Sequence, residues 1–227
     1  MKHTLITTAL TLSLAATAVV TSCDDNDGES YEIYQNIVTF EGNNGRNMEF
    51  SYQEIDDSPV ITLTAAGNLD HKTVPPRSRL LLTYYLPEGM TYGRSGTVNA
   101  RALERVRTAT AEILPTDEAA ERNAPIYVYT MYRSGHYINL YCSMTDDAKR
   151  VFTLSADEST IGTDTPHLYV SSVTATDPVA HERNYMVSMD MATVWNDPSV
   201  KAVKVHINNT NNIYNTTFTF NKNLTNL

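Results

Sequence analysis

Ile126-Tyr127-Val128-Tyr129-Thr130-Met131-Tyr132 and His136-Tyr137-Ile138-Asn139-Leu140-Tyr141-Cys142-Ser143-Met144 flank the turn residues Ser134-Gly135, and their reading decides the fold. In the second run Ile138, Leu140, Cys142 and Met144 recur at every second position, the period of a strand with one buried face. Tyr137 and Tyr141 then fall on the opposite face. Downstream, Arg150 to Ser155, His167 to Thr174, Arg183 to Val194, Val200 to Asn208 and Ile213 to Phe220 read as further strands, broken by turn signals such as Asp197-Pro198. Short strands at this spacing predict an antiparallel β-sandwich over 125–222, with Trp195 packed near a strand end and 223–227 as a tail. The sequons at Asn208-Asn209-Thr210, Asn215-Thr216-Thr217 and Asn223-Leu224-Thr225 read as an exposed polar edge.

Upstream the pattern is similar. Tyr31 to Glu41 and Asn47 to Ile55 are strand-like runs, and Gly42-Asn43-Asn44-Gly45 between them predicts a hairpin. Pro59 to Ala65 is a third run. Pro75-Pro76 cannot donate to a ladder, so His71 to Arg77 reads as a loop leading into a strongly apolar strand, Ser78 to Leu86. Gly89, Gly93 and Gly96 lack the dinucleotide or Walker spacing and read as loop residues. Over 99–114 the period changes: Asn99 can cap a helix that places Leu103, Val106, Thr110 and Ile113 on one face. A strand reading accommodates Val98, Ala100, Ala102, Val106 and Ala109 only with a bulge. Pro115 to Pro125 is polar, acidic and proline-bounded, which predicts a linker at 116–124.

The N-terminus gives a location. Lys2 precedes a charge-free apolar run from Leu5 to Val20, the pattern of a secretory signal too short to span a bilayer well. Val20-Thr21-Ser22-Cys23 follows and resembles the lipobox of bacterial lipoproteins, in which the cysteine is acylated and becomes the mature N-terminus. That resemblance implies a signal peptide at 1–22, lipidation at Cys23 and firm membrane attachment, since each buried methylene adds about 0.8 kcal/mol. Asp24, Asp25 and Asp27 resemble the export signal that Bacteroidetes-type bacteria use to send lipoproteins to the outward face of the outer membrane. Residues 23–30 read equally as a solvated acidic tether.

Composition narrows the function. A net charge of −9 with no basic run opposes nucleic-acid binding, which draws on clustered Lys and Arg. Of two cysteines one is the lipidation site, so Cys142 has no intrachain partner and its strand face predicts a buried, inert thiol.

The layout resembles the NigD-like lipoproteins of Bacteroidetes. The stretches that carry the resemblance are Val74-Pro75-Pro76-Arg77-Ser78-Arg79-Leu80-Leu81-Leu82-Thr83-Tyr84, Met131-Tyr132-Arg133-Ser134-Gly135-His136-Tyr137-Ile138-Asn139-Leu140 and Ser188-Met189-Asp190-Met191. Many members carry Trp where this chain has Tyr132. The resemblance implies an all-β chain with an N-terminal OB-like barrel over 31–115 followed by the C-terminal antiparallel β-sandwich. It also makes residues 98–113 the last barrel strand, against the helical reading. The family's name comes from a bacteriocin locus, and no activity carries over onto particular residues.

The chain has no sequence signature of catalysis. Its six histidines lack the paired spacing of a metalloprotease, and no Gly-x-Ser-x-Gly elbow or calcium loop occurs. His181, His206 and Asp190 could meet only through the fold. Asp146-Asp147 and Asp157-Glu158 fall in turns, where neighbouring acids are solvated. Neither metal nor cofactor is expected. The tyrosines fare better, because an exposed face with Tyr137 and Tyr141 can anchor a protein or stack on sugar. The same rings could instead pack against the barrel. The sequence therefore reads as a non-enzymatic surface lipoprotein of the outer membrane that binds a protein partner or toxin, with a glycan-binding accessory module as the alternative.

Overall fold

The computed structural model describes residues 32–44, 47–66, 74–121, 124–145, 150–173, 182–212 and 216–222. The signal segment, Cys23, the acids Asp24, Asp25 and Asp27, the pair Asp146-Asp147 and His181 lie outside the described residues. Among those described, no helix is long and apolar enough to cross a membrane.

The chain is almost entirely β. Strands β1 (Ile33–Asn44), β2 (Asn47–Tyr52), β3 (Ile61–Ala66), β4 (Arg79–Tyr85) and β5 (Gly96–Arg105) close into a barrel in the order β1-β2-β3-β5-β4. Closure removes exposed sheet edges. The alternation of Asn47-Met48-Glu49-Phe50-Ser51-Tyr52 drives it locally, sending Met48, Phe50 and Tyr52 inward. They meet Val38, Phe40, Leu63, Leu80, Leu82 and Val98 in one core. The β1–β2 hairpin forms as the glycine- and asparagine-rich turn predicts.

Residues 99–114 form no helix. Tertiary pairing overrides helix propensity here, because a strand is needed to close the barrel. β5 pairs with β4 and, in parallel, with β3. After Val106 the chain leaves the barrel as β6 (Arg107–Leu114), so only its first part is the closing barrel strand. β6 enters the middle of an eight-stranded sheet with β7 (Tyr127–Ser134), β8 (Tyr137–Thr145), β9 (Val151–Asp157), β10 (His167–Val173), β11 (Glu182–Asp190), β12 (Ala202–Ile207) and β13 (Thr217–Asn221). Its first half pairs with β11 and its second half with β9. The passage between the two units thus lies at Val106, ahead of the segment read as a linker. Within that segment, Thr116–Glu121 is a short helix, α1, whose Ala119 is fully buried.

The sheet order is β13-β12-β10-β9-β6-β11-β8-β7. The expected hairpins are antiparallel, but β6–β11, β6–β9 and β10–β12 are parallel pairs. Both arms of the sheet contribute to one core, with Ile138, Leu140, Val187 and Met189 from one and Leu154, Val170, Val205 and Ile207 from the other. A strand shared by two arms is how a sandwich turns a corner. The start of β7 bridges to Asn209 beyond β12 and draws the two ends together. Asn209 is therefore buried, with its side chain accepting from the Val128 amide, so only the middle residue of that sequon departs from the exposed edge expected. Cys142 is fully buried, and burial pushes its thiol up to about 12.

Candidate functional site

The β7–β8 hairpin supplies two distinct surfaces. Its turn places Gly135 at φ +57°, a left-handed conformation that suits glycine. A Cβ there would also come within 2.3 Å of the Gln53 side chain of the barrel, so the turn abuts the other unit. Along β7, plain alternation leaves Tyr127 and Tyr129 exposed on one face, at 41% and 49%, before the register shifts between Val128 and Thr130. Tyr129 stacks on Tyr141 of β8 with centroids 4.9 Å apart, and Tyr127 meets Tyr129 edge-on at 5.2 Å. Asn184 of β11 donates to the Tyr141 hydroxyl at 3.1 Å and fixes the end of the row.

Tyr137 does not join them. Four residues back on β8 it faces the barrel, with the Arg79 guanidinium 4.0 Å from its ring centroid. Burial raises the Tyr137 phenol above its ordinary value, against the pull of Arg79. The two tyrosines that share a strand face thus serve different surroundings. The row of Tyr127, Tyr129 and Tyr141 follows from the pairing register of β7 with β8, which sets Tyr129 beside Tyr141.

The junction between barrel and sandwich rests on two buried arginines. Arg133, at the end of β7, is fully buried and donates from both terminal nitrogens to Asp57, at 2.7 Å each. The same nitrogens donate to the Gly135 and Asn221 carbonyls at 2.9 Å. Trp195, at the end of helix α2 (Ala192–Trp195), lies with its ring 4.5 Å from the guanidinium, and Lys222 approaches that ring at 5.2 Å. Backbone bonds reinforce the link: Asp56 N–H donates to the Arg133 carbonyl, and Gly135 N–H to the Asp56 carbonyl, both at 2.7 Å. Bidentate Arg–carboxylate pairs are among the strongest polar contacts, so this cluster ties barrel, hairpin and last strand together.

Arg79, at the start of β4, is 7% exposed and bonds to Thr39 Oγ1 at 2.9 Å and Ser188 Oγ at 3.0 Å. Ser188 donates on to Asn139 at 2.8 Å, and Asn139 donates to Ser134 at 2.8 Å. This network spans both units. Beside it, His136 sits 3.8 Å from Asp190, and burial lowers its pKa below the ordinary value despite that carboxylate.

No group of three or more His, Cys, Asp or Glu side chains converges on a metal position among the described residues. His206 pairs with His167 at 3.4 Å and stacks on Tyr169, while Asp190 faces His136. Asp157 caps the 3-10 turn that follows β9 by accepting from the Ser159 amide at 2.9 Å. Burial works to raise its carboxyl, but donors from Thr116 and Ser159 hold it below the ordinary value. That is a structural carboxylate.

No protein-family model and no curated protein sequence matches the chain. Solved structures do. A NigD-like immunity protein from Bacteroides caccae aligns over 82% of this chain and 90% of its own, with TM-score 0.54 and 16% identity. The chain shares the NigD-like fold. A protein of unknown function from Bacteroides vulgatus aligns over 86% of this chain and 92% of its own, with TM-score 0.62 and 17% identity. A candidate lipoprotein from Bacteroides fragilis covers 82% and 94%, with TM-score 0.56 and 15% identity. The NigD-like fold thus extends over both the barrel and the sandwich.

Proposed function

We propose that this chain is a lipid-anchored protein on the outward face of the outer membrane that acts by binding a protein partner and not by catalysis. The observation that carries the reading is the row of Tyr127, Tyr129 and Tyr141. Tyr129 touches both Tyr127 and Tyr141, rings so held lose little conformational entropy on binding, and tyrosine supplies apolar area with a polar handle. The lipobox-like Cys23 and the acids Asp24, Asp25 and Asp27 support the location. One protein of the same fold is named an immunity protein, which fits a partner of proteinaceous kind.

The test is crosslinking on intact cells that carry the full-length protein, followed by mass spectrometry of the captured species. A dominant protein partner is expected, lost when Tyr129→Ser and Tyr141→Ser are combined while the melting temperature stays unchanged. Capture of polysaccharide alone would replace the partner by a glycan. Capture of periplasmic proteins alone would overturn the outward orientation. Cys23→Ser should release the protein from the membrane fraction, and replacing Asp24, Asp25 and Asp27 by Asn should remove it from the cell surface.

A further inference from the structure

The junction around Arg79 lines a half-open cleft of about 330 Å³ with Arg77, Arg79, Arg105, Tyr137, Ser188 and Asp190 among its walls. A second cavity of about 160 Å³ adjoins it and shares Arg77, Arg79 and Tyr137. Three arginines on one cavity stand out in a chain whose net charge is −9. Among the described residues Asp190 and Glu41 line these two cavities, and both are already engaged. Asp190 accepts from the Ala192 amide at 2.8 Å, and Glu41 faces Arg77 at 3.7 Å while also accepting from Ser51 at 2.5 Å.

Arg79 carries the argument. Its side chain is more than nine-tenths buried, Nε and Nη1 are bonded to Ser188 and Thr39, and Nη2 has no hydrogen-bond partner among the described residues. A buried donor left unmade costs about 1–3 kcal/mol, so a fold does not keep one without cause. The Tyr137 ring covers the guanidinium, and Tyr137 is itself only half-buried, so the cover is a single side chain at the cavity wall.

We propose that this junction is an anion site that takes one carboxylate, held between Arg79 and the more exposed Arg77 after the Tyr137 ring turns aside. The planar fork of an arginine matches a carboxylate through two parallel bonds. The volume fits a small organic acid or one acidic side chain of a peptide. Asp190 in the same cavity, together with the net negative chain, disfavours a dianion such as phosphate. The proposal is independent of the exposed tyrosine row, which lies further along the same hairpin.

Calorimetric titration of the purified full-length protein tests it, with acetate, inorganic phosphate and an end-capped peptide containing a single Glu as probes. Saturable binding of a carboxylate probe in preference to phosphate is expected. Tighter binding of the peptide than of acetate assigns the site to a partner's acidic residue, and the reverse order assigns it to a free acid. Arg77→Ala should weaken binding about tenfold, the loss of one charge-assisted contact, without moving the melting temperature, because Arg77 is largely exposed. Arg79→Lys retains the charge without the fork and should weaken it at least as much. Phosphate bound as well as carboxylate, or binding unchanged in Arg77→Ala, would overturn the proposal, as would no saturable heat with any probe.

Discussion

Two buried guanidiniums bridge the barrel and the sandwich, and they are built differently. Arg133 has a bidentate carboxylate, two carbonyls and an indole face, whereas Arg79 has two neutral hydroxyls, a tyrosine face and a terminal nitrogen without a partner. A charge removed from water must recover its solvation from fixed partners. Arg133 does so through a carboxylate and two carbonyls at its terminal nitrogens, with its Nε left unbonded among the described residues, and it reads as a tie. Arg79 does so in part, beside a cavity, and it reads as a socket. One interface can therefore hold a rigid joint and a receptive one.

The contrast can be broken most forcefully at Asp57. Asp57→Ala leaves the Arg133 charge buried with only Asp56 near, at 3.5 Å, and should cost about 3 kcal/mol. Arg133→Met should cost less, since Asp57 is 24% exposed and water can take over its solvation. Urea melts of both variants check that order, and equal losses would mean that the tie acts through packing. Next comes Gly135→Ala, which forces a side chain into a left-handed turn and against Gln53, for an expected loss of about 1–3 kcal/mol in the same melts. Arg79→Met should be milder, about 1 kcal/mol, because the two lost hydrogen bonds are offset by removing a donor that had no partner. A loss as large as that of Asp57→Ala would make Arg79 a tie as well.

The smallest effect concerns pH. His206 is held below its ordinary value of 6.5 by burial, His167 and Lys204. The unfolded chain then takes up a proton that the folded one resists, so stability should fall as pH drops below about 6.5. Burial of His136 acts in the same direction, with Asp190 opposing. His206→Gln should flatten the melting temperature between pH 7 and pH 5.5, and an unchanged slope would place the dependence elsewhere.

Much of the fold was legible. Alternation at Ile138, Leu140, Cys142 and Met144 identified β8 and one buried face, although Asn139 and Ser143 on the other face are buried as well, and Ser134-Gly135 identified the hairpin turn. Asn99 to Leu114 misled, because Ala, Leu, Glu and Arg favour a helix while the closing of one sheet and the centre of another require strands. The proline-bounded segment carries domain-linker chemistry, but α1 packs it onto β9 and β10. At the site, Tyr141 is half-buried in the row with Tyr129, away from the barrel. Tyr137 was not separable from it, since only the position of the barrel tells the two apart. Arg79 and Arg133 appeared in the sequence only as members of the stretches resembling the NigD-like family.

The sequence by itself determined the strand periods, the inert character of Cys142 and an expectation of location, because these depend on residues close together in the chain. Tertiary structure decided where the barrel ends, which strands run parallel and which tyrosines stand together. It also decided which arginine is paired with a carboxylate, since a guanidinium on β7 meets Asp57 only when the two units dock. Such contacts join residues that are far apart in sequence, and no local pattern encodes them.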